Sequence, residues 1–117
     1  MVLSVMKRIT LAFYESLTGK LPVRDWLLQL SEEDRKLVGI DLATVEYGWP
    51  IGMPICKSLG SGLWEVRTDL SDKKIGRVLF CTHNNRLWAL HGFVKKSQKT
   101  PKADMDRARK RMKEIVK

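Results

Sequence analysis

No apolar run in this 117-residue chain approaches the roughly 20 residues that a membrane-spanning helix needs, so a helical membrane protein is not expected. The opening MVLSVMKRIT has no long apolar stretch behind a basic one; a secretory leader is therefore not expected, and the cytoplasm is the expected location. Cysteine is scarce. Cys56 and Cys81 form no CxxC pair, and with only His83 and His91 to add, the chain offers no zinc spacing. Two reduced, partly buried thiols are expected, with no metal and no cofactor. Internal repeats and low-complexity linkers are also absent, which leaves one domain over residues 1–117 with room for a modest core.

Negative charge is the other shortage. The chain has 22 Lys and Arg against 13 Asp and Glu, a net +9, and the imbalance is local. Residues 1–94 carry a net +2, whereas residues 95–117 carry 10 basic side chains against 3 acidic ones, a net +7. A basic end of that density attracts polyanions, nucleic acid above all, through phosphate neutralisation and counterion release. The plainer alternative is a solvated helix face that keeps the protein in solution.

What is present reads as alternating strands and amphipathic helices. Ile9, Leu11 and Phe13 alternate with Arg8, Thr10 and Ala12, which predicts a strand over 7–14. Thr18-Gly19-Lys20 is a turn, after which Pro22 suits the first turn of a helix and Val23, Trp26, Leu27 and Leu30 mark its apolar face. Ser31 is a good N-cap for a second helix that opens with Glu32, Glu33 and Asp34 and stops at Gly48. The two helices are expected to pack as an antiparallel hairpin on the apolar face of a sheet. Residues 49–62, rich in proline and glycine, predict a loop with a short extended segment from Ile55 to Leu59.

Three strands follow, with turns at 71–74 and 83–85. Period-2 alternation places Trp64 and Val66 on one face and Leu63, Glu65 and Arg67 on the other. In the next strand Val78 and Phe80 oppose Arg77, Leu79 and Cys81. In the last, Trp88 and Leu90 oppose Leu87, Ala89, His91 and Phe93. The face that spends Glu65, Arg67, Arg77 and His91 is the candidate site. Thr100 is expected to cap a final basic helix with Pro101 at its first position and Asp104 and Asp106 in its first turn. The order is β-α-α-β-β-β-α, a single-domain α+β fold.

The segments CKSLGSGLWEVR, GRVLFCTHNNRLWALHGFVKKSQKTP and the final helix resemble, in order and spacing, the phage-derived HigB-type toxins of the RelE/ParE superfamily. The most specific pieces are LWEVR at 63–67, Gly76-Arg77, and LHGFVKKSQKTP at 90–101, and the likeness extends over nearly the whole chain. It implies a RelE-like, microbial-RNase-type fold and metal-independent endoribonuclease activity on mRNA in the ribosome, in contact with 16S rRNA. It also implies neutralisation by a cognate antitoxin, often a helix-turn-helix protein of the HigA type. The alternative on the same scaffold is a ParE-like inhibitor of DNA gyrase, or a basic partner-binding or nucleic-acid-binding module.

Cleavage by a neighbouring 2′-hydroxyl needs a base, a stabiliser for the pentacoordinate phosphorus, and help for the departing 5′-oxygen. Arg67 and Arg77, at matching positions on adjacent strands, suit the second task, since the guanidinium fork matches phosphate oxygens. Replacing either by Ala is expected to spare the fold. For both, the alternative is a salt bridge with Glu65 or another carboxylate. The resemblance adds Lys57 as a catalytic or RNA-binding lysine, with Lys95, Lys96 and Lys99 contacting RNA. Phe93 is placed to stack on a base or to sit in the core. Glu65 is either the general base or the holder of Arg67, and His91 is a base or a hydrogen-bonded core residue. Some superfamily members use a tyrosine in the active site; this chain has none after Tyr47, so a C-terminal tyrosine mechanism does not carry over.

Overall fold

The computed structural model describes residues 6–95 and 99–117 and follows the sequence periodicities closely through its first half. Strand β1 (Thr10–Phe13) leads through a turn into helix α1 (Pro22–Gln29), and a two-residue connection leads to α2 (Glu32–Gly48). Ser31 caps α2 as expected, its hydroxyl accepting a hydrogen bond from the Asp34 amide at 3.1 Å. The Arg35 guanidinium donates to the Leu27 and Leu30 carbonyls at 3.1 and 3.2 Å and so satisfies the end of α1.

The four remaining strands are β2 (Cys56–Gly60), β3 (Leu63–Asp69), β4 (Ile75–His83) and β5 (Arg86–Lys95), before helix α3 (Lys102–Ile115). They form one five-stranded mixed sheet in the order β1-β5-β4-β3-β2. Only the β1–β5 pair is parallel. The short extended segment predicted inside the 49–62 loop is thus a full edge strand, and the element order is β-α-α-β-β-β-β-α. An edge strand has a single neighbour and needs few apolar residues, which is why its glycine-rich, proline-flanked sequence resembles a loop. Asn84 and Asn85 turn β4 into β5, both with positive φ (52° and 61°), the conformation a tight two-residue hairpin requires.

The sheet is covered on both faces. Val23 of α1 and Val38, Leu42 and Val45 of α2 pack against Val66, Val78, Phe80, Leu87 and Ala89, so the hairpin covers one face as expected. Helix α3 covers the other, where Ala108, Met112 and Ile115 meet Leu63, Leu79, Cys81 and Leu90. Both cysteines are free and buried, and burial pushes their thiols up to about 11, well above the range where they ionise at neutral pH. Among the described residues no helix is long and apolar enough to cross a membrane.

The alternation predicted for the last strand is corrected by a β-bulge. Cys81 pairs with Trp88 and Phe80 with Ala89, but Leu79 then pairs with His91, which leaves Leu90 as the extra residue. Before the bulge, Leu87 and Ala89 face the hairpin and Trp88 and Leu90 face α3, the reverse of the expected assignment. After it, His91 and Phe93 face α3 and Gly92 faces the hairpin. A Cβ at Gly92 would lie 2.4 Å from Cε3 of Trp26. Gly92→Ala should therefore lower the unfolding free energy by about 1–3 kcal/mol through overpacking, readable as a shifted urea midpoint.

Candidate functional site

The bulge and the strand register arrange the polar residues of the α3-side face in two rows. Lys57, Glu65, Leu79 and His91 pair in turn across β2, β3, β4 and β5. Arg67, Arg77 and Phe93 form the adjacent row across β3, β4 and β5. With strands about 4.8 Å apart, Glu65 and Lys57 are neighbours while His91 lies roughly 10 Å from Glu65.

Glu65 organises the first cluster. Its side chain is fully buried, and so is that of Arg77, whereas Arg67 retains 17% exposure. One carboxylate oxygen of Glu65 accepts from Nε of Arg67 and the other from the hydroxyl of Thr100. Nη1 of Arg77 stands 3.9 Å from that second oxygen and donates to the Thr100 hydroxyl at 3.4 Å. Burial pushes the Arg77 pKa below its usual range; Glu65 opposes that shift and Arg67 adds to it. With both oxygens engaged, Glu65 holds the two arginines and is not a free base. Arg77 lies beneath the surface, so Arg77→Ala opens a core cavity and leaves a carboxylate short of a cation. The expectation that this substitution spares the fold does not survive its burial.

Thr100 is the residue that sequence reasoning missed. It was expected to cap α3, but Pro101 takes the cap position, and Thr100 turns inward, 7% exposed, to bridge Glu65 and Arg77. The one signal for this was a hydroxyl directly before a proline that already satisfies the helix start. On the solvent side, Lys57, Leu59, Lys99, Thr100 and Met105 line an open cleft of about 340 Å³. Two exposed ammonium groups thus flank an apolar strip whose inner wall is tied to the Glu65 cluster. Arg67 does not line this cleft; it adjoins it through Glu65.

His91 belongs to a second cluster. Its Nε2 lies 2.6 Å from Oδ1 of Asp104 on α3, and its ring stacks on Phe93 with centroids 5.5 Å apart. Phe93 packs among the α3-side core residues, which is the core placement weighed for it. Burial lowers the His91 pKa, Asp104 partly restores it, and Arg111 and Arg107 lower it again. A histidine with a depressed folded-state pKa binds fewer protons folded than unfolded, so its stability contribution is complete above about 6.5 and is lost as pH falls through the depressed value. Urea midpoints measured from pH 7 down to pH 5 should fall for the wild type, and His91→Gln should flatten that dependence.

Lys95 is exposed at the end of β5, opposite Ile75 and away from the cleft, and Lys96 lies outside the described residues. No group of three His, Cys, Asp or Glu among the described residues is placed to hold a metal ion.

The fold and this face define a single α+β domain that presents a basic cleft beside a buried arginine–carboxylate cluster. The chain belongs to the family described as phage derived protein Gp49-like (DUF891), whose profile matches residues 25–113, from α1 to near the end of α3. That span contains every candidate site residue. No curated protein matches the chain.

Proposed function

We propose that this protein is the toxin of a type II toxin–antitoxin pair and that it cleaves mRNA on the ribosome. The observation that carries the reading is the pairing of an open, lysine-flanked cleft with a semi-exposed Arg67 held by a buried carboxylate. The phage-derived family and the likeness of LWEVR and LHGFVKKSQKTP to HigB-type toxins support it.

In this reading the 2′-oxygen attacks the adjacent phosphorus and gives its proton to solvent water, the P–O5′ bond breaks, and the 5′-oxygen is protonated as it leaves. The products are a 2′,3′-cyclic phosphate and a 5′-hydroxyl. Arg67 stabilises the charge that builds on the non-bridging oxygens, and fixing it through Glu65 removes reorganisation from the step. Lys57, across the strand pair from Glu65, neutralises the departing oxygen and can supply its proton. Lys99 anchors the flanking phosphates. Glu65, Arg77 and Thr100 are positioning residues. Neutralisation follows when a cognate antitoxin of the HigA type keeps the cleft from mRNA and 16S rRNA.

The test is 5′-end mapping of cellular mRNA minutes after induction, with wild type and Arg67→Ala compared. Cuts within translated regions that vanish in the variant are the expected result. Growth arrest with intact mRNA would overturn the nuclease reading and favour inhibition of gyrase or another target.

A further inference from the structure

Helix α3 has a second flank. On the side away from the Lys57 cleft, an open cleft of about 400 Å³ that the proposed cleavage does not use lies between α3 and Tyr14. Tyr14, just past β1, forms its inner wall, and Arg107, Lys110 and Arg111 line α3 along it.

Two of these groups are locked in place. The Tyr14 hydroxyl donates to Glu114 at 2.6 Å, and the Arg111 guanidinium lies 5.3 Å from the Tyr14 ring centroid while donating to the Leu90 carbonyl at 2.7 Å. The two acids at the cleft are already engaged, Glu114 with Tyr14 and Asp106 with Lys102 at 2.9 Å. Arg107 and Lys110 are exposed, and among the described residues neither takes part in a salt bridge. Burial, and then the neighbouring Arg107, pushes the Arg111 pKa down, while Tyr14 and Glu114 oppose the shift. Positions i, i+3 and i+4 of a helix lie side by side, so the three cations converge on one place.

We propose that this second cleft binds a phosphate of a single-stranded nucleic acid backbone, through Arg107, Lys110 and the Tyr14-braced Arg111. A guanidinium pair suits the phosphate fork. The Lys57–Lys99 cleft lies on the opposite flank of the same helix, so one continuous polyanion that crosses α3 engages both. A phosphodiester backbone repeats its charge at every nucleotide, whereas the carboxylates of an ordinary acidic peptide fall wherever its sequence places them. The inference goes beyond the proposed cleavage and does not require it.

The test measures binding without cleavage, using 2′-O-methyl oligonucleotides that lack the attacking hydroxyl. One oligomer is about 12 nucleotides long, ample to cross a helix about 10–12 Å wide; the other is a dinucleotide. The double variant Arg107→Gln, Lys110→Gln should bind the long oligomer at least about tenfold more weakly. Its slope of log K against log salt should shrink by about 1.4, at about 0.7 per lost contact. Dinucleotide binding in the other cleft should be unchanged, as should the urea midpoint, since both side chains are exposed. A DNA oligomer losing the same affinity supports backbone recognition, and one indifferent to the substitutions overturns it. Unchanged affinity and slope for the long oligomer overturn the proposal. So does a poly-glutamate of equal charge that binds as tightly and loses as much. Failure here would leave the mRNA mapping result untouched, and the reverse holds equally.

Discussion

Glu65→Ala should lower the unfolding free energy by about 3–5 kcal/mol, the cost of leaving a buried cation without its counter-charge. Arg77 is as buried as Glu65, and Thr100 loses the acceptor for its hydroxyl in the same step. Glu65→Gln keeps the shape and one acceptor oxygen but removes the charge, and should fall between wild type and Glu65→Ala. Urea denaturation with the m-value held constant reads the series. A double-mutant cycle between Glu65→Gln and Thr100→Val should show strong coupling, because the two share one hydrogen bond. A Glu65→Ala midpoint close to wild type would mean that the cluster is hydrated and that its burial does not govern stability.

If the protein is the nuclease proposed above, Arg67→Ala should leave it folded but about 10²–10³-fold weaker in cleavage, the usual loss when one preorganised stabiliser of a developing oxyanion is removed. The side chain is partly exposed, and Glu65 keeps both Arg77 and Thr100, so the stability loss should stay well below that of Glu65→Ala. The readouts are growth arrest on induction and the mapped mRNA ends. Lys57→Ala should act in the same direction with no change in urea midpoint, since Lys57 is exposed on an edge strand. If Arg67→Ala arrests growth as fully as wild type, the phosphate clamp is not on β3.

Much of this architecture was legible in the sequence. The Pro22 start of α1, the Ser31 cap of α2, the apolar stripes of both helices and the alternation in β3 and β4 follow local rules, and the matched positions of Arg67 and Arg77 are a register pair. Three features were not legible, each for a physical reason. The edge strand β2 carries too few apolar residues to show as more than a short extended segment. The bulge at Leu90 adds one residue to a ladder whose partner strand is needed to see it. Thr100 and Asp104 read locally as helix-start residues, yet their side chains serve Glu65 and His91, set far from them in sequence. The same limit explains why the sequence left Glu65 open between a general base and the holder of Arg67: a carboxylate's partners across a sheet decide whether it is available.

The parallel pairing of β1 with β5 constrains the order in which the molecule can be built. Thr10 sits beside Arg86, and Tyr14 is tied to Glu114, so the first strand to leave a ribosome finds its place only after nearly all the chain has emerged. The β2–β5 meander has short connections and can assemble by itself, whereas closing the β1 edge carries the loop entropy of the whole hairpin insertion. Assembly should therefore pass through a four-stranded intermediate whose β5 edge stays unpaired until β1 docks. Pulse-labelled amide exchange during refolding should show β3 and β4 protected before β1, and protection of β1 first would overturn this order of assembly.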